Sequence, residues 1–440
     1  MSHKNNLVAA IDIGTTKIVA IVGKKNENNR LEILGISKTI SKGVKRGVVL
    51  NIEETVNAIS TIVEEVQEQT GEKLHDVYVG IAGQHIKSIR NRGYVNRDSY
   101  DYEITKKDID ELIEDMYKIP IEVGEEIIHV LPQNFVVDNE TGVKNPIGMS
   151  GKRIEANFHI VIGQVASAKN IEKCINRVGL TINELILEPL ASSAAVLTED
   201  EKEAGVALVD IGGGTTDVAV YYDNIIRHTA VIPFGGNVIT NDIKEGCSIL
   251  QRQAEALKVQ YGSALGDIAP EDKVVTIPGI SGREPKEISF KNLAYIIQSR
   301  MEEIIDAVIF EIENSNYLDK LSAGIVLTGG GSLLKHLPQL VKYKTGMDVR
   351  VGFPNEYLSG EYDDSINHPM YATSVGLVLK GFEGKEQVNK DEYKAEEEEE
   401  FKDIVTEANH KNKERHKPNI LKVLKEKVIE IFDENDHQLN

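Results

Sequence analysis

Apolar and polar positions fall into blocks along the chain, and each block predicts its elements. Val8–Ile13 and Ile18–Val22 are nearly continuous apolar runs of strand length, and Glu32–Ile40 follows as a third strand. From Ile52 to Gln69, Ile52, Val56, Ile59, Ile62, Val63 and Val66 recur at three- and four-residue spacing, which predicts an amphipathic helix with one buried face. The strand Asp76–Ile81 closes this block, residues 6–83. Residues 84–166 have a different pattern: a helix over Lys106–Tyr117, strands over Ile127–Leu131 and Ala156–Ile162, and a loop, Asn145–Gly151. Residues 167–201 return to a helix, Lys169–Val178, and then a small-residue segment, Leu187–Ala195. Residues 202–380 repeat the opening design, with a helical stretch (237–318) interrupting it. The pattern predicts a first α/β domain (6–83 and 167–201), an inserted subdomain (84–166), a second α/β domain (202–236 and 319–380) and a helical subdomain within it.

The last sixty residues differ from everything before them. Gly381 to Lys417 is polar and carries five successive glutamates, Glu396–Glu400, the composition of a disordered acidic linker. Residues 418–433 then regain helical periodicity. At about 100° per residue, Ile420, Leu421, Leu424, Val428, Ile431 and Phe432 share roughly one third of the circumference. Lys422, Lys425, Glu426 and Glu430 fill the remainder. Such a helix on a linker seeks a bilayer interface or a protein groove, or else docks onto its own domain. Its lysines suit anionic lipid, at about 1 kcal/mol each near the surface.

The chain has 440 residues, 41% hydrophobic and 27% charged, so it is expected to be soluble, with more than one core. A formal net charge of −20 opposes a nucleic-acid role. Cys174 and Cys247 lack disulfide-framework or metal spacing and read as free thiols of a reducing compartment. Met1–Asn6 is polar, and the run after it is broken by Asp12, Gly14 and Lys17, so no signal peptide is expected.

Candidate chemistry lies in two turns about two hundred positions apart. Asp12-Ile13-Gly14-Thr15-Thr16-Lys17 and Asp210-Ile211-Gly212-Gly213-Gly214-Thr215-Thr216-Asp217 each join two apolar strands. Their glycines let backbone N–H groups converge on an anion, and threonine hydroxyls add hydrogen bonds. Asp12 and Asp210 are suited to holding a hard cation, usually through water. A third turn, Gly329-Gly330-Gly331-Ser332, follows the apolar Ile325–Thr328. Neither the P-loop pattern nor the Rossmann glycine fingerprint is present. Two facing hairpins of this kind would grip a triphosphate from both sides.

In this order and at these distances, the three turns resemble the phosphate-1, phosphate-2 and adenosine motifs of the actin-like ATPase superfamily. That resemblance implies two related domains around a cleft holding ATP and Mg2+. Leu187–Ala195, with Glu188 and Pro189, resembles the first interdomain helix, and Tyr371–Leu377 stands in the place of the second. Glu188 would then orient an attacking water, beside Asp210 as a catalytic carboxylate. Gly236-Asn237 opens a helix, and Glu255 and Lys258 share a face further on, where the superfamily contacts ribose and base. The same spacing also serves a solvent-exposed ion pair.

The position of the insert, its sequence Asn145–Gly151, Arg153 and the run Ala156-Asn157-Phe158-His159-Ile160-Val161 are similar to FtsA, the bacterial cell-division actin homologues. This resemblance covers about Leu7 to Phe432. It implies at most slow ATP hydrolysis, head-to-tail polymerisation, contact with FtsZ and other divisome proteins, and a terminal helix on the cytoplasmic face of the inner membrane at the septum. Two alternatives share the fold: a PilM-like adaptor, whose chains lack such a terminal helix, and a small-molecule kinase, for which no substrate motif is found. A peptide-binding chaperone would need a β-rich C-terminal domain, for which the tail is too short.

Overall fold

The structure, a computed structural model, describes residues 7–100, 102–279, 284–359 and 366–386. Two five-stranded sheets of one design form the two lobes. In the first, the order is Thr181–Leu187, Asp76–Ile81, Leu7–Ile13, Lys17–Lys25, Leu31–Ile40. In the second it is Val349–Val351, Ile325–Thr328, Val206–Ile211, Thr216–Tyr222, Ile225–Ile232. Each has an antiparallel three-strand meander followed by two parallel additions. The repeat seen in the sequence is therefore a repeat of topology. Central strands covered on both faces read as unbroken apolar runs, which is why Val8–Ile13 and Ile18–Val22 stood out.

Helix Ile52–Thr70 covers the first sheet with Ile59, Ile62, Val63 and Val66 buried. Asn51 caps it by accepting the Glu54 N–H at 3.2 Å, and Gly71 ends it at φ 69°. The insert is a four-stranded antiparallel sheet, ordered Lys87–Asn96, Arg153–Gln164, Glu125–Val137, Glu140–Val143, with helix Lys106–Met116 packed on it. Leu112, Met116, Ile154, Phe158 and Ile160 form its own core. Asn145–Gly151 is a fastened turn: Gly148 N–H donates to Ile104 O, and Ile104 N–H to Met149 O, both at 2.8 Å. The helical stretch contains Gly236–Cys247, Gln251–Tyr261 and Phe290–Asn314, together with a hairpin (Val274–Ile277 with Lys286–Ser289) that the pattern did not predict.

Two helices cross between the lobes, Glu188–Val196 and residues 372–386. Small residues let them touch: a Cβ on Gly376 would lie 1.8 Å from the Ala191 carbonyl oxygen. The second helix runs past the expected start of the linker. Residues 381–386 are helical and Phe382 is buried, so these first residues of the expected linker belong to the interdomain helix instead. The rest of that linker and the expected helix 418–433, with Ile420, Leu421, Leu424, Val428, Ile431 and Phe432, lie outside the described residues. No described helix is long and apolar enough to cross a membrane.

Candidate functional site between the facing hairpins

The first two turns meet tip to tip. Register Ile13↔Ile18 leaves Gly14–Lys17 as one turn, and Ile211↔Thr216 leaves Gly212–Thr215 as the other. A Cβ on Gly213 would lie 1.8 Å from Thr16 Oγ1, and one on Gly214 would lie 2.5 Å from Thr15 Oγ1. Only glycine permits that approach. Thr15 Oγ1 also accepts the Gly47 N–H at 3.0 Å, so the first turn is held from behind.

Between the turns lies a cavity of about 70 Å³ faced by Asp12, Glu188, Asp210 and Asp217, with Lys17 as its cation and Gly329 and Gly330 at its rim. The three aspartates are buried. Each interdomain helix supplies a hydroxyl to the opposite lobe. Ser192, on the helix that leaves the first lobe, donates to Asp210 at 2.6 Å. Ser374, on the helix that leaves the second lobe, donates to Asp12 at 2.8 Å. Thr373 adds a longer bond to Asp210 at 3.3 Å. The hinge is thus cross-braced onto the two turn carboxylates.

Asp217 stands opposite Asp210 across the antiparallel pair. Its Oδ2 receives the Thr215 hydroxyl at 3.4 Å, and its Oδ1 is buried with no partner. Burial, then the Asp210 charge, pushes its carboxyl well above the usual carboxylate range. Glu188 is raised in the same sense, by burial first and then by Asp12, Asp217 and Asp210, with Lys17 opposing. Burial also raises Asp210. A concentration of carboxylates around an orphaned buried oxygen fits a divalent cation with oxygen ligands. Among the described residues no three acidic or imidazole groups close on one point. The residues that would hold a hard cation such as Mg2+, through its own waters, are Asp12, Asp210 and Asp217.

The strain has a measurable consequence. Raised folded-state carboxyl pKa values mean that the folded, metal-free chain holds protons more tightly than the unfolded one. Their cost to stability is present above the folded-state pKa and fades as pH falls toward the ordinary carboxylate range. Asp217→Asn should therefore raise the melting temperature of the metal-free protein at neutral pH by a few degrees, for about 1 kcal/mol, while weakening its stabilisation by Mg2+ and nucleotide. Calorimetric melting with and without the ligands checks both signs.

A second cavity, of about 380 Å³, continues from Thr16, Lys17, Gly212 and Gly213 to Gly236, Asn237, Glu255, Lys258, Gly330 and Gly331. The backbone N–H groups of Gly236 and Asn237 donate to Gly212 and Gly213 at 2.9 and 2.8 Å, which ties the helix start to the second turn. Lys258 pairs with Glu255 at 2.8 Å, and its Nζ also reaches Gly236 O at 2.9 Å and Thr240 Oγ1 at 2.8 Å. The Lys258 side chain is only 15% exposed and that of Glu255 is 45% exposed, so both line the cleft, with the lysine buried in its wall and the glutamate open to solvent.

Two expected ligands stand behind the lining. Thr216 donates to Phe234 O at 2.8 Å and Ser332 to Gly329 O at 2.7 Å; both are buried and brace their turns. Asp217, Gly47, Ser192, Thr373 and Ser374 belong to the site and were not singled out as site residues. The hairpin register alone would have placed Asp217 beside Asp210. The hydroxyls were hidden in segments that also serve simple close packing.

Comparison with known proteins gives the family and the fold. Residues 207–376 match the family model described as Cell division protein FtsA, and residues 83–162 that described as SHS2 domain inserted in FTSA. Cell division protein FtsA of Pseudomonas aeruginosa is 41% identical over 381 residues, 87% of this chain and 90% of that one. The FtsA of Escherichia coli K12 is 35% identical over 384 residues, covering 86% and 90%. The chain belongs to the FtsA family. Among solved structures, the PilM-PilN type IV pilus biogenesis complex aligns with TM-score 0.60 at 15% identity, over 85% of this chain and 98% of that one. MreB5 of Spiroplasma citri, solved bound to ADP, aligns with TM-score 0.53 at 16% identity over 88% and 99%. At such identities these likenesses establish an actin-like fold for this FtsA-family chain and nothing finer. The SHS2 match, residues 83–162, falls on the inserted four-stranded subdomain.

Proposed function

We propose that this FtsA-family chain binds ATP with Mg2+ in the cleft, polymerises head to tail, and anchors the FtsZ ring to the cytoplasmic membrane while recruiting later division proteins. The observation that carries the nucleotide part is the pair of facing hairpins, with Asp12, Asp210 and Asp217 gathered where a triphosphate's cation would lie. Gly14, Thr15, Thr16 and Lys17 on one side, and Gly212, Gly213, Gly214 and Thr215 on the other, would hold the phosphates. The larger cavity beside Asn237, Glu255, Lys258, Gly330 and Gly331 is suited to the nucleoside. Bound Mg2+ would neutralise charge on the phosphates; Glu188 would orient water for slow hydrolysis.

The membrane part rests on the tail's apolar stripe, Ile420 to Phe432. One such helix with opposing glutamates anchors weakly, and a polymer displaying many of them gains by multivalency. In sedimentation with anionic vesicles and ATP, the full chain should pellet and a chain ending at Lys417 should stay in the supernatant. Equal pelleting of the two removes the anchoring role. Localisation at the septum follows from the family's cell-division role. A PilM-like adaptor is the less favoured reading, because the sequence identity lies with FtsA and the amphipathic tail is present.

A further inference from the structure

His129 lies on the insert strand Glu125–Val137, and its Nε2 accepts the backbone N–H of Leu187 at 3.0 Å. Leu187 ends the strand Thr181–Leu187, an edge strand of the first sheet. Its neighbour in that sheet is Asp76–Ile81, with Leu187 opposite Ile81. Glu188 comes next and opens the interdomain helix. On the sheet side the glutamate stem passes over Gly80, where a Cβ would lie 3.2 Å from Glu188 Cγ. The backbone from which Glu188 departs is therefore held from two sides, by the sheet and by an imidazole of the insert. Burial first, then the charge of Lys380, lowers the His129 pKa to about 4, so the ring is neutral near pH 7 with an acceptor lone pair on Nε2.

We propose that His129 is a positioning residue for nucleotide hydrolysis: by accepting the Leu187 N–H it fixes the direction in which Glu188 enters the cleft, and so makes hydrolysis depend on the placement of the insert. This rests on the nucleotide reading above. The insert is in turn gripped by the second lobe. Gln133 Nε2 donates to Ile226 O at 2.5 Å, Arg227 to Asn134 Oδ1 at 3.1 Å, and Arg90 to Ser315 O at 2.9 Å. His159 Nε2 and the Thr229 hydroxyl, both buried, meet at 2.8 Å. One subdomain thus touches both the second lobe and the root of Glu188. The His129–Leu187 hydrogen bond, which no residue of the cleft itself makes, would then carry a shift between the lobes to Glu188, beside the packing of Leu131 around Leu187.

The test is single-turnover phosphate release at saturating Mg-ATP, with equilibrium ATP binding and thermal melting measured in parallel. His129→Leu fills the space without an acceptor; His129→Asn keeps an acceptor but sets it back from the Nε2 position; His129→Gln places its Oε1 close to it. Release should slow by about tenfold in the Leu and Asn variants with ATP affinity unchanged, and Gln should recover most of the rate. In a Glu188→Gln background, His129→Leu should slow release no further. Wild-type rates in both Leu and Asn, equal losses in Gln and Asn, or full additivity with Glu188→Gln would overturn the proposal. A wild-type chain that binds ATP and releases no phosphate also overturns it, leaving the binding site intact; one that binds no ATP removes the nucleotide reading itself.

Discussion

Asp210→Ala should abolish retention of Mg-ATP. Asp210 holds four relationships at once: it lies one residue before the end of the first strand of the second hairpin, it accepts Ser192 and Thr373 from the two interdomain helices, it faces Asp217 across the ladder, and it borders the cavity that Asp12 enters from the other lobe. Removing its carboxylate takes one of the charges that would hold the cation's water shell, for a loss in nucleotide affinity on the order of 100-fold. It also leaves the Ser192 hydroxyl without its acceptor at the hinge. Asp210→Asn separates these effects, because the amide retains an acceptor for Ser192 and removes only the charge. Titration calorimetry with Mg-ATP should show both variants crippled, with the asparagine protein melting at least as high as wild type without ligand, since a buried like charge has been removed. Unaltered ATP affinity in both would remove Asp210 from the site.

The contrast between legible and hidden parts of the site follows from the physics of each signal. The turns were legible because phosphate-type loops combine glycine, hydroxyl and aspartate between buried apolar runs, and buried runs are the strongest pattern a sequence carries. The insert's strands Lys87–Asn96 and Glu140–Val143 were not, because half their residues face water and their charges blur the alternation. Thr181–Leu187 escaped for the same reason: it is an edge strand with Glu184 exposed in its middle. Glu255 and Lys258 looked like an ordinary surface pair from spacing alone, and only the placement of helix Gln251–Tyr261 against the helix that begins at Gly236 puts both on the cleft and turns Lys258 inward. His129 carries no sequence signal at all. A histidine inside a strand gives no hint of an acceptor aimed at a backbone N–H fifty-eight residues away.

Gly376→Val should be the most damaging change away from the cleft. The two interdomain helices come closest where Gly376 faces Ala191, and even one added carbon would lie 1.8 Å from the Ala191 carbonyl oxygen, deep inside contact distance. Neither helix can yield easily. Ala372, Val375, Leu377, Val378 and Phe382 on one and Ala191, Ala195 and Val196 on the other belong to a single core joining both sheets. Opening it to admit a β-branched side chain costs about 3 kcal/mol or more, enough to lower the melting temperature by several degrees or to prevent accumulation of folded protein. The injury should not stop at stability. Ala191 precedes Ser192, which holds Asp210, while Thr373 and Ser374 lie within one turn of Gly376 and hold Asp210 and Asp12. Forcing the helices apart at this crossing draws those hydroxyls away from both turn carboxylates. Gly376→Ala, the smaller insult, should therefore lower ATP affinity at temperatures where the protein is still folded. Calorimetric melting paired with ATP titration resolves the two effects. An alanine variant that melts and binds as wild type would mean that the helices do not meet at this point and that the cross-bracing of the hinge is wrong.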